Sequence, residues 1–281
     1  MIAQSYILHA LSPLHAGIGQ AAELIDLPIA RLKGSGIPYV PGSSIKGVLR
    51  DARGGSHPQD VEAVFGPDTA NADAHAGALV CTDVRLLALP VRSFRGTFAF
   101  VTSPLLLALA ARDLGQPPAI PKVKYTHCIA APKLQADGKV YFEDLDLTAA
   151  PMENAFTAWR DRLAPVFGAD APRQQVFSSR FAVVDDETMT FLWETATQLD
   201  QRVRIDPETR TVAKRALWLE ESLPPETLLI GLLLAEPSRR PGHPLTAAQI
   251  LDIALPSQGE QILQFGGKST IGRGRCRMVR L

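Results

Sequence analysis

The segment best suited to hold an anion lies close to the end of the printed sequence. It is rich in glycine and basic residues, runs from 266 to 275 as GGKSTIGRGR, and is bordered by two apolar runs. Glycine reaches positive φ, so backbone N–H groups can surround a phosphate that neighbouring cations attract. We predict that it cradles a phosphodiester backbone, the alternative being a flexible hairpin turn. The predicted contacts are Gly267, Lys268, Ser269, Thr270 and Arg273.

A second anion site is predicted where a helix begins, in the segment from Pro41 to Arg50, PGSSIKGVLR. Ser43 or Ser44 can cap the helix, and Lys46 and Arg50 share one of its faces. Free N–H groups at a helix start attract anions. An ordinary capped helix with solvated cations is the alternative. Two such sites in one chain favour a polyanion over a single phosphate.

The sequence matches parts of two nucleotide-binding motifs but neither motif in full. Gly267-Lys268-Ser269 matches the end of a P-loop, but Ile262 stands where that motif requires glycine and only residues 271–281 follow. Gly17, Gly19 and Ala22 imitate a dinucleotide fingerprint, yet Pro28 interrupts the helix that it needs. We therefore expect no nucleotide cofactor, and a nucleotide-dependent enzyme becomes the weaker hypothesis.

Composition indicates a globular protein with a polarised surface. The chain has 281 residues, 46% of them apolar, and 29 basic residues balance 29 acidic ones. The cations cluster at 31–53, at 85–95 and near residue 281. Cys81, Cys128 and Cys276 lack the spacing of a disulfide framework or zinc site. With no signal-peptide pattern and no run long enough to cross a bilayer, we expect a cytoplasmic protein.

The periodicity predicts an α+β fold, a ferredoxin-like sheet with insertions. A strand at 2–11 and a helix from 43 precede a loop-rich insertion at 53–77. Asp206-Pro207-Glu208-Thr209 predicts a projecting hairpin at about 200–216 that carries cations; a solvated edge hairpin is the alternative. The remaining predicted strands are 79–89, 96–102, 140–142, 181–184 and 228–235, and the remaining helices are 61–65, 105–114, 152–163, 186–199 and 246–255. The hairpin cations are Arg202, Arg204, Arg210, Lys214 and Arg215.

Several segments together resemble the backbone RAMP subunits of type III-B (Cmr) CRISPR effector complexes, over nearly the whole length. Beside the glycine-rich segment they include a carboxylate between apolar neighbours, Asp26, and a histidine beside glycines, His15. The segments are LHAGIG at 14–19, IDLPI at 25–29, VPGSSIKG at 40–47, LLALPVRS at 86–93 and LPPET at 223–227.

The resemblance implies a single RAMP domain over 1–281. Its RRM-like palm would carry insertions that form a thumb hairpin, for which 200–216 is the candidate, and a finger region. It implies polymerisation along a CRISPR guide RNA in a helical filament, with other Cmr subunits, and cleavage of complementary target RNA at regular intervals. Gly17 joins the expected RNA contacts. A divalent metal, Mg²⁺ or Mn²⁺, is also implied, with unknown ligands.

The resemblance makes Asp26 the expected catalytic residue. RNA carries its own nucleophile, the 2′-OH, so Asp26 can take the hydroxyl proton or bind a metal water, and His15 can assist as acid or base. A lone loop aspartate is commonly a turn or cap residue, and His15 can instead pack or bind phosphate. Glu220 is the next candidate. The rival hypothesis is a non-catalytic RNA-binding scaffold, such as a related type III-A backbone subunit.

Overall fold

The computed structural model describes residues 1–17, 25–71, 73–206, 208–257 and 261–281, with the side chains of all of these except residues 69 and 212–216. Helices and strands alternate irregularly, so the fold is α+β, as predicted. Its strands are β1 Ile2–Ala10, β2 Tyr39–Val40, β3 Leu79–Cys81, β4 Val84–Ser93, β5 Thr97–Thr102, β6 His127–Ala130, β7 Gln135–Ala136, β8 Lys139–Phe142, β9 Leu145–Ala150, β10 Phe181–Val184, β11 Gln198–Ile205, β12 Val212–Ser222, β13 Leu228–Ala235, β14 Gln261–Gln264 and β15 Arg275–Arg280. Its helices are α1 Gly42–Ala52, α2 Pro58–Phe65, α3 Pro104–Ala111, α4 Asn154–Leu163, α5 Ala171–Ser178, α6 Asp186–Thr195 and α7 Ala247–Ala254.

One half of the main sheet runs in the order β14-β15-β1-β13-β4, with antiparallel neighbours throughout. Strand β1 lies at its centre and alternates its side chains between two cores. Tyr6 and Leu8 join the core that contains Ile45 and Ile250 of α1 and α7. Ile7 joins a second core with Trp159 of α4. This half of the sheet is therefore covered on both faces.

The other half of the sheet curls into a closed barrel. From β4 the order continues β5-β10-β6-β9-β8, and β8 returns to β4 through the pair Ser93 and Phe142. The pairings of β5 with β10 and of β6 with β9 are parallel. Strand β4 belongs to both halves, so the barrel and the open half of the sheet form one continuous structure.

A separate two-stranded sheet is formed by β11 and β12. The register runs from Gln198 opposite Ser222 to Val203 opposite Leu217, and a bulge follows before Ile205 pairs with Val212. The predicted hairpin is present and longer than expected. The helix predicted to reach Leu199 ends at Thr195, because β11 begins at Gln198. Glu220 and Glu221, expected in a connection, lie within β12.

Helix starts follow their capping signals closely. The Ser103 side chain accepts the Leu106 N–H ahead of Pro104, and Thr246 forms a capping box with Gln249. The prediction for α1 was wrong by two residues or more, because Pro41 is its N-cap and makes no side-chain cap bond.

None of the helices in the described ranges combines the length and the hydropathy that crossing a bilayer requires.

Candidate active site

His15 and Asp26 are both anchored on one edge of β12. The Leu219 N–H donates to Asp26 Oδ2 (2.7 Å), and the Leu219 carbonyl accepts the Leu27 N–H (3.1 Å). Two residues further on, the Glu221 N–H donates to the Leu27 carbonyl (3.0 Å), and the Glu221 carbonyl lies 2.7 Å from His15 Nδ1. Two residues of a strand span about 7 Å. The backbone of β12 therefore sets the spacing of the two candidate catalytic groups.

The two groups differ in exposure. Asp26 is exposed, and its Oδ1 is left to act on a substrate while Oδ2 takes the Leu219 N–H. His15 is 8% exposed. A carbonyl oxygen can only accept, so the contact with Glu221 requires His15 to carry its proton on Nδ1, and Nε2 of the neutral ring is the basic nitrogen. This arrangement suits Asp26 as a proton acceptor and His15 as an assisting group beside it.

Gly17 makes room for the His15 ring. A Cβ added at Gly17 would lie 2.6 Å from His15 Nε2, closer than two such atoms can approach. Gly17 also forms an isolated β-bridge with Ile29, so the segments that carry His15 and Asp26 meet at this point. The absence of a side chain at Gly17 therefore has a packing cause. The rest of the imitated dinucleotide fingerprint, Gly19 and Ala22, lies outside the described residues.

The side chain of Glu221 fixes the strand that follows Asp26. It is 2% exposed, accepts the Ile29 N–H on Oε2 (3.0 Å) and binds Arg31 through Oε1 (2.5 Å). Arg31 also donates to the carbonyl oxygens of Trp193 (3.1 Å) and Gly36 (3.3 Å). A buried carboxylate is costly unless it is paired and hydrogen-bonded, and Glu221 meets both conditions.

Glu220 points to the opposite face of β12 and is fully buried among cations. Lys268 binds its Oε2, and Arg202 Nε and Arg273 Nε each lie 3.7 Å from one of its oxygens. Glu220 therefore joins the hairpin to the glycine-rich segment. Its burial does not suit the role of a reserve catalytic residue that the sequence suggested.

Arg273 is positioned differently from expectation. It is 5% exposed, donates to Ser222 Oγ (2.9 Å) and binds Asp200 Oδ2 (2.5 Å). Burial alone would raise the pKa of Asp200, but hydrogen bonds from Arg273 and Gln198 and the charges of Arg273 and Arg202 outweigh it and lower that pKa. Because its guanidinium is committed to protein partners, we do not retain Arg273 as a phosphate ligand. Lys268 is likewise neutralised by a carboxylate.

The glycines of this segment dock it onto the strand that carries His15. A Cβ at Gly266 would clash with the His15 carbonyl oxygen, one at Gly274 would clash with that of Phe265, and both residues have positive φ. The Gly267 N–H donates to the His15 carbonyl (3.3 Å), and Gly267 is itself exposed, with Ser269 and Thr270 beside it on a short 3-10 turn. Part of the predicted cradle thus faces solvent, although two of its glycines have structural causes.

The predicted anion site on α1 is partly filled by the protein. The Gly42 N–H donates to Asp83 Oδ1 (2.8 Å), so a carboxylate already occupies one of the helix-start donors. Ser43 is exposed, and Ser44 and Lys46 are half-buried in the first turns of the helix. Arg50 donates to the Pro67 carbonyl (3.3 Å). Helix α1 also packs against β14, the strand that precedes the glycine-rich segment, and a side-chain contact lies at the far end of the helix, where Arg53 donates to Gln261 Oε1 (2.9 Å).

A preformed metal site is not built by the residues described. Across those ranges no three His, Cys, Asp or Glu side chains are grouped so as to hold a metal ion. Burial raises the pKa of the Cys81 thiol, near Lys46, and of the Cys276 thiol to about 12. These two thiols therefore stay protonated at neutral pH, as expected of packing residues.

The sequence predicted roles for His15 and Asp26 but did not identify the residues that hold them. The missed residues are Glu221, Arg31, Asp200 and the backbone of Leu219. One local signal was available: two adjacent acids follow the apolar pair Trp218-Leu219 in a strand-like run. In a strand such neighbours face opposite sides, so each must find its own cationic partner if both are buried.

Comparison with known proteins identifies the family. The RAMP superfamily matches residues 7–277, which is almost the whole chain. The chain belongs to the RAMP superfamily.

Named relatives narrow the likeness further. The chain is 32% identical over 281 residues to the CRISPR system Cmr endoribonuclease Cmr4 of Pyrococcus furiosus, covering 95% of this chain and 92% of that protein. The crystal structure of oligomeric Cmr4 from Pyrococcus furiosus superimposes with a TM-score of 0.76 at 25% identity, covering 100% of this chain and 98% of the other. A cryo-EM structure of type III-B Cmr-beta bound to cognate target RNA contains a chain of the same fold, with a TM-score of 0.77 at 20% identity, 100% of this chain and 97% of the other being covered.

Proposed function

We propose that this protein is a backbone subunit of a type III-B (Cmr) CRISPR effector that binds guide RNA and cuts complementary target RNA at regular intervals. The observation that carries the proposal is the exposed Asp26 carboxylate, held on the β12 edge beside His15. The relative named as an endoribonuclease supports the activity, since the chain aligns with 92% of its length. The likeness to an oligomeric Cmr4 supports assembly with further copies, and the likeness to a chain of the type III-B Cmr-beta structure supports assembly with other Cmr subunits.

The parts of the fold receive roles within this proposal. The order β4-β13-β1-β15, with α1 and α7 between its strands in sequence, is that of an RRM-like palm. The β11–β12 hairpin is the thumb, and the insertion that contains α2 belongs to the finger region. The exposed surface formed by Gly267, Ser269 and Thr270, together with Lys46 on α1, is the part of the predicted contact set that we retain for the guide backbone.

The proposed chemistry is transesterification by the RNA itself. The 2′-oxygen attacks the adjacent phosphorus, Asp26 Oδ1 takes the 2′-OH proton, and the bond from phosphorus to the 5′-oxygen breaks. The products are a 2′,3′-cyclic phosphate and a 5′-OH, whose proton comes from the protonated His15 or from water. Positioning and proton transfer of this kind require little protein machinery, which matches a site with one exposed carboxylate.

A divalent metal stays part of the proposal, although the described residues build no complete site for one. Mg²⁺ commonly takes one or two carboxylates and completes its shell with substrate phosphates and water. Asp26 offers one such oxygen, and the other ligands would be phosphate oxygens of the bound RNA. Cutting that persists unchanged in excess chelator would remove the metal from the proposal.

The decisive experiment is Asp26→Asn in the reassembled complex. Asparagine keeps an oxygen to accept the Leu219 N–H but is no longer a base, so folding and target affinity should stay and the single-turnover cutting rate should fall about a hundred- to ten-thousand-fold. Asp170→Asn is the matched control, because Asp170 is also an exposed aspartate that accepts one backbone N–H, from Arg173 (2.8 Å). That control should cut at the wild-type rate.

One observation favours the rival function, a non-catalytic RNA-binding scaffold. The Asp26 carboxylate already has a structural partner in the Leu219 N–H, and a structural aspartate needs no reactivity. The same experiment separates the two functions. Full cutting by Asp26→Asn, at unchanged positions in the target, would leave Asp26 as a loop-shaping residue and would favour the scaffold.

A further inference from the structure

Glu221 contacts every segment that carries a candidate catalytic group. Its carbonyl holds His15, its N–H holds Leu27, and its carboxylate holds Ile29 and Arg31. None of the Glu221 atoms takes part in the proposed proton transfers or in the bond changes at phosphorus. A buried charge with this many directed contacts is fixed in orientation and can fix its partners.

The contacts of Glu221 lie on both sides of Asp26 in the sequence, at His15 and from Leu27 to Arg31. Asp26 itself is exposed, and its Oδ2 is held by the Leu219 N–H. The chain that leaves Asp26 is also bonded through Ala30, whose N–H donates to the Ala16 carbonyl (2.8 Å). The Glu221 side chain adds its bonds to the Ile29 N–H and to Arg31, and these bonds tie the segment to β12 beyond the pairing of Leu27.

We propose that the Glu221 carboxylate, acting with Arg31, is the group that positions the Asp26 carboxylate along β12, while the backbone carbonyl of the same residue holds the His15 ring. This inference rests on the proposed function for its effect on cutting. It goes beyond that function because it makes the base of the hairpin part of the cleavage site. Glu221 itself touches no reacting atom; it acts through the backbone from Leu27 to Arg31 and through His15.

The first test is Glu221→Gln in the reassembled complex. Glutamine still accepts the Ile29 N–H but loses the ion pair with Arg31. A misplacement of about 1 Å can cost a hundredfold in rate, so we expect the single-turnover rate to fall about ten- to a hundredfold, with guide and target affinity unchanged. Glu62→Gln is the control. Glu62 lies on α2 and pairs with Arg240 (2.9 Å), and both residues are outside the cleavage site. The control should cut at the wild-type rate.

Two combinations separate positioning from a general loss of stability. The double variant Glu221→Gln with Asp26→Asn should cut no more slowly than Asp26→Asn alone. Displacing a side chain that no longer acts as a base should cause no further loss of rate. Glu221→Gln with Arg31→Gln should be no slower than Arg31→Gln alone, because the ion pair with Glu221 is already lost in that single variant. Multiplying losses in both combinations would overturn the proposal.

Hydrogen exchange reports on positioning independently of cutting. Peptides that cover residues 25–31 should exchange faster in Glu221→Gln than in the wild type, and at the wild-type rate in Glu62→Gln. Unchanged exchange in Glu221→Gln would overturn the proposal. If Asp26→Asn itself cuts at the wild-type rate, the proposed function fails, and this exchange comparison alone decides the positioning role.

A further pair keeps the test decisive if Glu221→Gln does not fold. Arg31→Lys keeps a cation beside the carboxylate but loses the branched donor geometry, and Arg31→Gln loses the charge. The expected order of cutting rates is wild type, then Arg31→Lys, then Arg31→Gln. Equal rates in all three would overturn the proposal.

Discussion

His15 owes its place to two neighbours without charge of their own, the Glu221 carbonyl and Gly17. The carbonyl fixes which nitrogen carries the proton, and the missing side chain at Gly17 gives the ring its volume. The first effect needs only a backbone carbonyl, which every residue has, and the second needs only the absence of a Cβ. A histidine beside glycines is therefore a packed and oriented group here, and its chemistry depends on sub-ångström fit.

Gly17→Ala tests that fit at the residue scale. The new methyl would lie 2.6 Å from His15 Nε2, so either the ring or the backbone must move. Overpacking of this kind costs about 1–3 kcal/mol in the free energy of unfolding. We expect that loss in urea unfolding, together with slower cutting by the complex.

The control for this substitution is Gly34→Ala, where an added Cβ would meet nothing within 4 Å. It should change the free energy of unfolding by less than about 0.5 kcal/mol, as surface substitutions usually do. Equal effects of the two substitutions would show that the contact between Gly17 and His15 is unimportant.

At the scale of elements, the base of the hairpin is bound to the rest of the fold, whereas the described apolar side chains further along it are exposed. The base holds Asp200, Glu220 and Glu221, each bound to a residue outside the hairpin. Toward the tip one face carries apolar side chains that remain exposed, with Val203 at 47% and Leu217 at 54%. The base is therefore part of the fold, and the tip is available to contact RNA or another subunit.

Replacing residues 204–216 with a short Gly-Ser turn would remove the tip and keep the base. Val203 and Leu217, the last pair before the bulge, would then flank the new turn. We expect a cooperatively folded protein with an unfolding midpoint close to the wild type, and a disturbed cut pattern or weaker target pairing. Calorimetry and a cleavage gel measure the two effects. A truncated protein that does not fold would exclude the tip from the thumb role.

The base of the hairpin should respond to acid through Asp200. Its pKa is lower in the folded protein than the ordinary value, so its contribution to stability is present above that ordinary value, about 4, and is lost as pH falls through the lowered pKa. Asp200→Asn should remove this contribution. Unfolding between pH 3 and pH 7 should therefore depend less steeply on pH in the variant. Identical profiles would exclude a stabilising contact between Asp200 and Arg273.

Local signals predicted local structure well and long-range contacts poorly. Ser103 and Thr246 start helices because their caps lie within three residues of their partners. Strand β6 was missed because it is only four residues long, whereas β9 begins with the alternating run Leu145-Asp146-Leu147-Thr148, a local signal that was overlooked. Asp26 and His15 were singled out through the resemblance to a family, but their partners on β12 lie 193 and 206 positions away. No local pattern reports a contact at that separation.

Long-range pairing also decides which cations of the glycine-rich segment are neutralised, and the local sequence does not report it. Lys268 and Arg273 looked free because no acid follows Glu260 in the sequence. Their partners, Glu220 and Asp200, lie on the hairpin and neutralise them in the fold. A count of charges along the chain therefore overstated the basic surface near this segment.

For the whole molecule, the net charge of zero fits a protein whose internal cations are largely paired. Affinity for RNA must then come from cations that remain accessible. Lys46 is half-buried on α1, whereas Lys268 binds the buried Glu220 carboxylate. Both lysines were predicted to bind the RNA backbone, but their surroundings in the fold differ.

The last prediction concerns Lys46→Ala and Lys268→Ala. Each phosphate neutralised on a single strand contributes about 0.7 to the slope of log affinity against log salt. Lys46→Ala should therefore weaken guide binding for all sequences alike and lower that slope by about 0.7, while the free energy of unfolding stays within about 0.5 kcal/mol of the wild type. Fluorescence anisotropy with guide RNA between about 50 and 200 mM salt gives the slope.

Lys268→Ala should instead lower stability, because Glu220 is fully buried and, among the described side chains, keeps Arg202 and Arg273 as cationic partners, each at 3.7 Å. Leaving a hydrogen bond to a buried charged group unmade costs about 1–3 kcal/mol, which urea unfolding of the free protein detects. Lys133→Ala, an exposed lysine on the barrel, is the control for both measurements. If Lys268→Ala lowers the salt slope as Lys46→Ala does and leaves unfolding unchanged, Lys268 binds the guide directly and its contact with Glu220 contributes nothing to the fold.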